Sequence, residues 1–144
     1  MIKATDDLTT QELLTILEAR TAVFVVEQEC PYQEVDEEDR HAIHVCLEEN
    51  GKLQAYARIL EGNAAIRFGR VLVVKDCRGQ QLGRKIVEKT LEEIKKRYPN
   101  SPVQISAQAY LAGFYRSFGF KEQSEVYLED GIPHVEMLLQ HADD

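Results

Sequence analysis

Between Arg78 and Gly83 the chain reads RGQQLG, where the β-branched run VLVV gives way to the amphipathic pattern RKIVEKTLEEI. A turn that enters a helix leaves about four backbone amides without intrahelical acceptors, and roughly half a positive charge gathers there. Gly79 and Gly83 let a ligand approach the main chain closely, and Arg78, Arg84 and Lys85 add full charges. Such a turn can hold a phosphate or pyrophosphate; it can equally do no more than join two elements. Two nucleotide motifs are excluded. Gly79-Gln-Gln-Leu-Gly83 is too short for GxxxxGK[ST], and no GxGxxG occurs.

Charge is distributed unevenly around this turn. Residues 67–97 hold ten of the 17 basic residues against four acids, whereas residues 27–39, EQECPYQEVDEED, hold seven acids and no base. The first region suits an anion and the second a cation, unless both are solvated surface. The formal net charge of −8 argues against non-specific nucleic-acid binding. Cys30, Cys46 and Cys77 are widely spaced with no CxxC, so reduced thiols and no metal site are expected. MIKATDDLTT carries no apolar signal segment, and no apolar run approaches the ~20 residues of a membrane span. A cytoplasmic protein with no membrane partner is expected.

The elements that must position these residues follow from periodicity. Ile2–Thr5 opens as a short strand, and Thr9 with Glu12 forms a T-x-x-E capping box. Leu13, Leu14, Leu17, Thr21 and Phe24 then follow helical spacing, with Arg20 on the edge of that stripe. Glu27 lies seven residues on, so an Arg20–Glu27 pair is expected if the helix persists. Pro31 ends the helix and the acidic stretch reads as a loop. Strands are expected at Ile43–Leu47, Leu53–Leu60 and Ile66–Val74, with a hairpin turn at Asn50-Gly51 and a further turn at Gly62-Asn63. The apolar VLVV predicts a strand buried on both faces. Leu82, Ile86, Val87, Leu91, Ile94 and Tyr98 share one side of a helix that Pro99 stops. Val103–Ser106 is a short strand, and Leu111, Phe114, Tyr115 and Phe118 follow helical spacing up to Gly119. Asp130-Gly131 joins the strands Glu125–Leu128 and His134–Leu139. At 144 residues the chain is expected to form one mixed α/β domain.

Position by position, VLVVKDCRGQQLGRKIV resembles the acetyl-CoA signature [QR]-x-x-G-x-[GA] of the GNAT superfamily of N-acetyltransferases. Arg78 fills its first position and Gly83 its last, while Gln81 stands where the family usually has its middle glycine. AQAYLAGFYRSFGF resembles the later FY-x-x-(hydrophobic)-GF segment, and RTAVFVVEQECPYQEVD, RHAIHV and EDGIPHVEM are similar to the ElaA-type branch, so the resemblance covers nearly the whole chain. It implies a central twisted mixed sheet flanked by helices, with acetyl-CoA as co-substrate and an amine as acceptor. It further implies that the Val71, Leu72 and Val73 backbone holds the pantetheine arm. Amides from Gly79 through Gln80, Gln81, Leu82 and Gly83 to Arg84 would cradle the pyrophosphate, and Tyr115 would lie near the thioester sulfur. The edge strands of such a sheet offer a route to a homodimer.

Acetyl transfer from a thioester needs a neutral nucleophile, an oxyanion partner and a proton for the leaving thiolate. The resemblance gives the oxyanion to the Val73 amide, and one such donor is typically worth ~2.7–4 kcal/mol. By spacing alone Tyr115 completes an apolar stripe; the resemblance makes it the general acid, a phenol of pKa near ~10. A lysine-like amine is neutral about once in ~2,500 molecules at pH 7 and wants a base, whereas an α-amino group could manage through water. Glu27, Glu29, Glu34, His44 and His134 are candidates, Glu27 first because it ends the first helix beside the acidic loop. A ping-pong route through Cys77 is disfavoured, since no His follows it closely. The function expected is transfer of acetyl to a primary amine of a small molecule or peptide in a ternary complex. The alternatives are a non-catalytic acyl-CoA-binding regulatory module, or an acyltransferase with another donor or acceptor.

Overall fold

The computed structural model describes residues 1–140. Its elements are β1 (Ile2–Ala4), α1 (Thr10–Arg20) running directly into a π-helix (Thr21–Glu27), β2 (Ile43–Glu49), β3 (Lys52–Leu60), β4 (Ile66–Val73), α2 (Leu82–Arg97), β5 (Val103–Gln108), α3 (Ala112–Arg116), β6 (Lys121–Glu122), β7 (Tyr127–Glu129) and β8 (Ile132–Leu139). The strands form one mixed sheet in the order β1-β2-β3-β4-β5-β8-β6, with β7 also paired to β8. All pairings are antiparallel except β4 with β5. No described helix is long and apolar enough to cross a membrane.

Local chemistry explains most boundaries. The Thr9 side chain accepts from the Glu12 amide and Glu12 reaches back to the Thr9 amide, closing the expected capping box. Asn50 and Gly51 (φ 54° and 76°) and Asp130 and Gly131 (φ 52° and 78°) take the left-handed conformations that tight hairpins need. Gly119 (φ 102°) ends α3 in a Schellman motif, its N–H donating to Arg116 O and that of Phe120 to Tyr115 O. The helices cover opposite faces of the sheet. From α2, Ile86, Val87 and Ile94 are buried against Val45, Ala55, Ala57, Ile59 and Phe68, while Ile16 and Phe24 pack on Cys46, Tyr56 and Leu72.

Three expectations change. The buried line of the first helix runs through Ile16, Arg20 and Phe24, so Arg20 is at its centre, with Leu14 half-exposed. The π-helix takes more residues per turn than an α-helix, so a seven-residue interval no longer returns to the same face. Arg20 therefore pairs with Glu34 and Asp39, and Glu27 points elsewhere. VLVV is not buried throughout: Leu72 is, but Val71, Val73 and Val74 are only partly buried. Val71 and Val73 face a cleft, for a reason that lies in the register.

Beyond Tyr56↔Leu72 the β3–β4 ladder shifts, and it resumes at Arg58↔Gly69. Arg70 and Val71 thus oppose the single residue Ala57, a bulge with Arg70 at φ 50°. On its other side β4 pairs with β5 only at Ile66↔Val103 and Arg67↔Gln104. A bulge bends the strand that carries it, and from Phe68 onward β4 has no partner on the β5 side. The two parallel strands part into a wedge.

Candidate active site

The wedge is a cavity of about 660 Å³, bordered by Val71 and Val73 of β4, Ser106 and Gln108 of β5, Phe24 and Glu27 of the π-helix, and Tyr115 of α3. A second cavity, about 350 Å³, lies over the start of α2 and is lined by Gly79, Gln81, Leu82, Gly83, Arg84 and Phe114. Val73 and Arg78 border both, so the two spaces meet there.

At the α2 end, Gln81 caps the helix at φ 62°, ψ 19° without a side-chain capping bond, and Gly79 sits at φ 86°. The left-handed region is where a residue without Cβ is cheapest. The first helical bond is Lys85 N–H to Gln81 O at 3.2 Å. The amides of Leu82, Gly83 and Arg84 therefore have no intrahelical acceptor, and no other protein acceptor meets them among the described residues. A Cβ built on Gly83 would meet only Val73 Cγ2, at 3.9 Å, so space in front of the backbone is open. This donor set fits an anion. Gln80 is exposed and borders neither cavity.

Arg78 spans the junction. Its Nε donates to Val73 O at 3.1 Å, and its two terminal nitrogens donate to the Glu27 carboxylate at 2.5 and 2.9 Å. That bidentate bond lowers the Glu27 pKa and so weakens it as a base. Arg84 also borders the cavity at the start of α2, its guanidinium 4.4 Å from the Phe118 ring centroid and bonded to Ser117 Oγ.

Tyr115 lies at the wedge's inner end. It is buried among Phe68, Phe114 and Phe120, edge-on to the latter two. Its hydroxyl makes no hydrogen bond to a described residue. Burial pushes its pKa up to about 12, so the phenol stays protonated.

Three of the seven acids in the acidic segment turn inward. Glu34 and Asp39 clasp Arg20, Asp36 and Asp39 hold Arg58, and Arg70 reaches Glu34 and Asp36 while stacking on Tyr32. Three carboxylates thus neutralise three arginines behind the bulge, and Glu34, 4 % exposed, is unavailable as a base. His44 is buried against Tyr56 and Thr5, and burial lowers its pKa to about 4. Glu29 is exposed at φ 51° and borders neither cavity. His134 does border the wedge, with Nδ1 2.7 Å from Ile132 O. Ser106 went unnoticed in the sequence, although the alternation in VQISAQ already puts Gln104, Ser106 and Gln108 on one face. No described His, Cys, Asp or Glu residues gather as a metal-binding group.

The Acetyltransferase (GNAT) domain model matches residues 4–141. Protein ElaA of Escherichia coli K12 is 44% identical over 136 residues, 91% of this chain and 89% of that protein. The crystal structure of Escherichia coli ElaA superposes with a TM-score of 0.93 at 42% identity, covering 97% of this chain and 98% of that one. An acyl-CoA N-acyltransferase from Pseudomonas aeruginosa gives the same TM-score, 0.93, and 42% identity, covering 96% and 97%. The wedge between β4 and β5, the unpaired amides at the start of α2 and these likenesses agree: the chain belongs to the GNAT acetyltransferase family, in its ElaA-like branch.

Proposed function

We propose that this chain is an acetyl-CoA-dependent N-acetyltransferase. It moves an acetyl group to a primary amine of a small molecule or peptide by direct attack within a ternary complex. The observation that carries the reading is the row of unpartnered amides at the start of α2, opening beside a wedge that ends at Tyr115. The Pseudomonas aeruginosa neighbour, an acyl-CoA N-acyltransferase, supports it.

Acetyl-CoA supplies an activated acyl thioester. Arg78 and the amides from Gly79 to Arg84 bind its diphosphate, and the open edge of β4 at Val71, Leu72 and Val73 orients its pantetheine arm, with the Val73 N–H facing the reacting carbonyl. Tyr115 Oη holds the proton that the departing thiolate takes; its raised pKa keeps that proton in place until it is needed. Glu27 borders the cleft as a base should, but its bond to Arg78 makes it the counter-ion that aims that guanidinium. The acceptor enters the wedge, whose border includes the carboxylates of Glu38, Glu129 and Asp130, which draw an ammonium. This reading needs no metal and places the protein in the cytoplasm. The test is CoA-thiol release from acetyl-CoA across amino acids, polyamines, aminosugars and peptides, beside calorimetric acetyl-CoA binding. Binding with amine-dependent release is expected. Binding without release from any amine would favour a regulatory module, and no binding would overturn the assignment.

A further inference from the structure

A hydrogen-bonded chain leads out of the wedge on the β5–β8 side. Ser106, on β5, faces Glu136, its cross-strand partner on β8. Tyr127 of β7 bridges them: its hydroxyl donates to Glu136 Oε2 at 2.5 Å and also contacts Ser106 Oγ. Proton counting orders the chain. A phenol has one proton and Tyr127 gives it to the carboxylate, so at the Ser106 contact the serine is the donor. The serine proton thus points at Tyr127, leaving the serine lone pairs for the cavity that Ser106 borders. A hydroxyl presented this way accepts hydrogen bonds from whatever occupies the wedge.

We propose that Ser106, Tyr127 and Glu136 are the proton-accepting relay for the acceptor amine, an inference that rests on the acetyltransferase reading above. As the nitrogen bonds to the acyl carbon, its N–H bond breaks and the proton goes to Ser106 Oγ. The serine proton passes to Tyr127 Oη, the tyrosine proton passes to Glu136 Oε2, and the carboxylate becomes a carboxylic acid. Glu136, whose side chain is 23 % exposed, then returns the proton to solvent. Every hydroxyl ends neutral, and no further reactant is required.

The charged and polar surroundings of the relay are few. Arg67 of β4, at 3.3 Å, and Gln104 of β5, at 2.8 Å, both donate to Glu136 Oε1, leaving Oε2 to Tyr127. His134 of β8 stacks on the Tyr127 ring, with Glu129 of β7 3.6 Å from its Nε2. Against the opposing effect of burial, the bonds from Tyr127 and Gln104 and the charge of Arg67 hold the Glu136 pKa below its ordinary value. The carboxylate is therefore ionised at neutral pH and, as a weak base, passes a proton on to solvent readily.

The test is the pH profile of kcat/KM with the best amine from the panel. Ser106→Ala, Tyr127→Phe and Glu136→Gln are each expected to lower kcat/KM about 100-fold or more, and Glu136→Gln to remove the fall at low pH that protonation of the carboxylate causes. The Ser106→Ala, Glu136→Gln double variant should lose no more than either single one, because the groups act as a unit. Ser106→Thr, which keeps the hydroxyl, should recover most of the rate, which separates chemistry from packing. Independently of turnover, the ¹³C NMR titration of the Tyr127 ring should move to lower pH in Glu136→Gln, because the anion that opposes phenolate formation is gone. Near-normal kcat/KM in Ser106→Ala, additive losses, or a low-pH fall abolished by His134→Asn but kept in Glu136→Gln would overturn the relay. So would an unmoved Tyr127 titration. Absence of turnover with every amine, despite that titration shift, would instead overturn the acetyltransferase reading and the relay's role in it.

Discussion

Replacing Arg20 with methionine tests the buried ion network behind the wedge. Arg20 has no solvent exposure and makes five hydrogen bonds, to both Glu34 carboxylate oxygens, the Glu34 carbonyl and both Asp39 oxygens. Methionine keeps much of the apolar stem and removes only the charge and its donors. Taking one partner from a buried pair typically costs about 3–5 kcal/mol, because the other charge is left uncompensated. Here each anion retains a second cation, Arg58 beside Asp39 at 3.0 Å and Arg70 beside Glu34 at 2.7 Å, which favours the low end. The guanidinium also lies 5.9 Å from the Tyr56 ring centroid, worth another ~0.5–1 kcal/mol. A loss of about 3–4 kcal/mol is therefore expected at pH 7, a large share of a typical domain's stability of about 5–15 kcal/mol.

The sign of its pH dependence follows from Asp39. Despite the opposing effect of burial, Arg20 and the Asp36 amide hold its carboxyl well below the ordinary carboxylate range. A depressed folded-state pKa contributes stability above the unfolded value, near ~4, which is lost as pH falls further. Without Arg20 that pKa rises toward the unfolded value, so the variant's deficit should shrink as pH falls below ~4. Urea unfolding at pH 7 and about pH 3 measures both quantities. A deficit under 1 kcal/mol at pH 7, or one equal at the two pH values, would refute the account.

Tyr115→Phe should lower turnover about 100-fold or more and leave acetyl-CoA affinity nearly unchanged, since the hydroxyl has no partner among the described residues; steady-state kinetics with calorimetry checks this. Arg78→Glu sets two carboxylates face to face where a bidentate bond stood, and should weaken CoA binding about 10- to 100-fold by calorimetry. Gln81→Gly relieves a left-handed conformation at a modest entropic cost and should leave stability within ~1 kcal/mol of the parent, on the stabilising side, by thermal or urea unfolding.

What could be foreseen here was local. The Thr9–Glu12 box, the Asn50-Gly51 and Asp130-Gly131 turns and the Gly119 cap are decided within a few residues, and each appears where expected. The RGQQLG turn was legible for the same reason, its amides being freed by the helix start alone. The partners of Arg20 lie 14 and 19 residues away, across a π-helical segment that breaks the seven-residue extrapolation to Glu27. The bulge at Arg70 is held by Glu34, Asp36 and Tyr32 from another loop, so the incomplete burial of Val71 and Val73 could not be read from VLVV. The link from Ser106 to Glu136 depends on β5 pairing with β8, a register that alternation cannot supply.

The parallel ladder between β4 and β5 stops after two rungs, at Arg67 and Gln104. Walls that diverge from a fixed apex make a tapered gauge, which grades occupants by thickness more than by length. A slender extended chain slides toward Phe68 and Ile105; a branched or bulky one is arrested nearer the rim. Moving the apex by a single rung would recalibrate that gauge without altering any lining side chain.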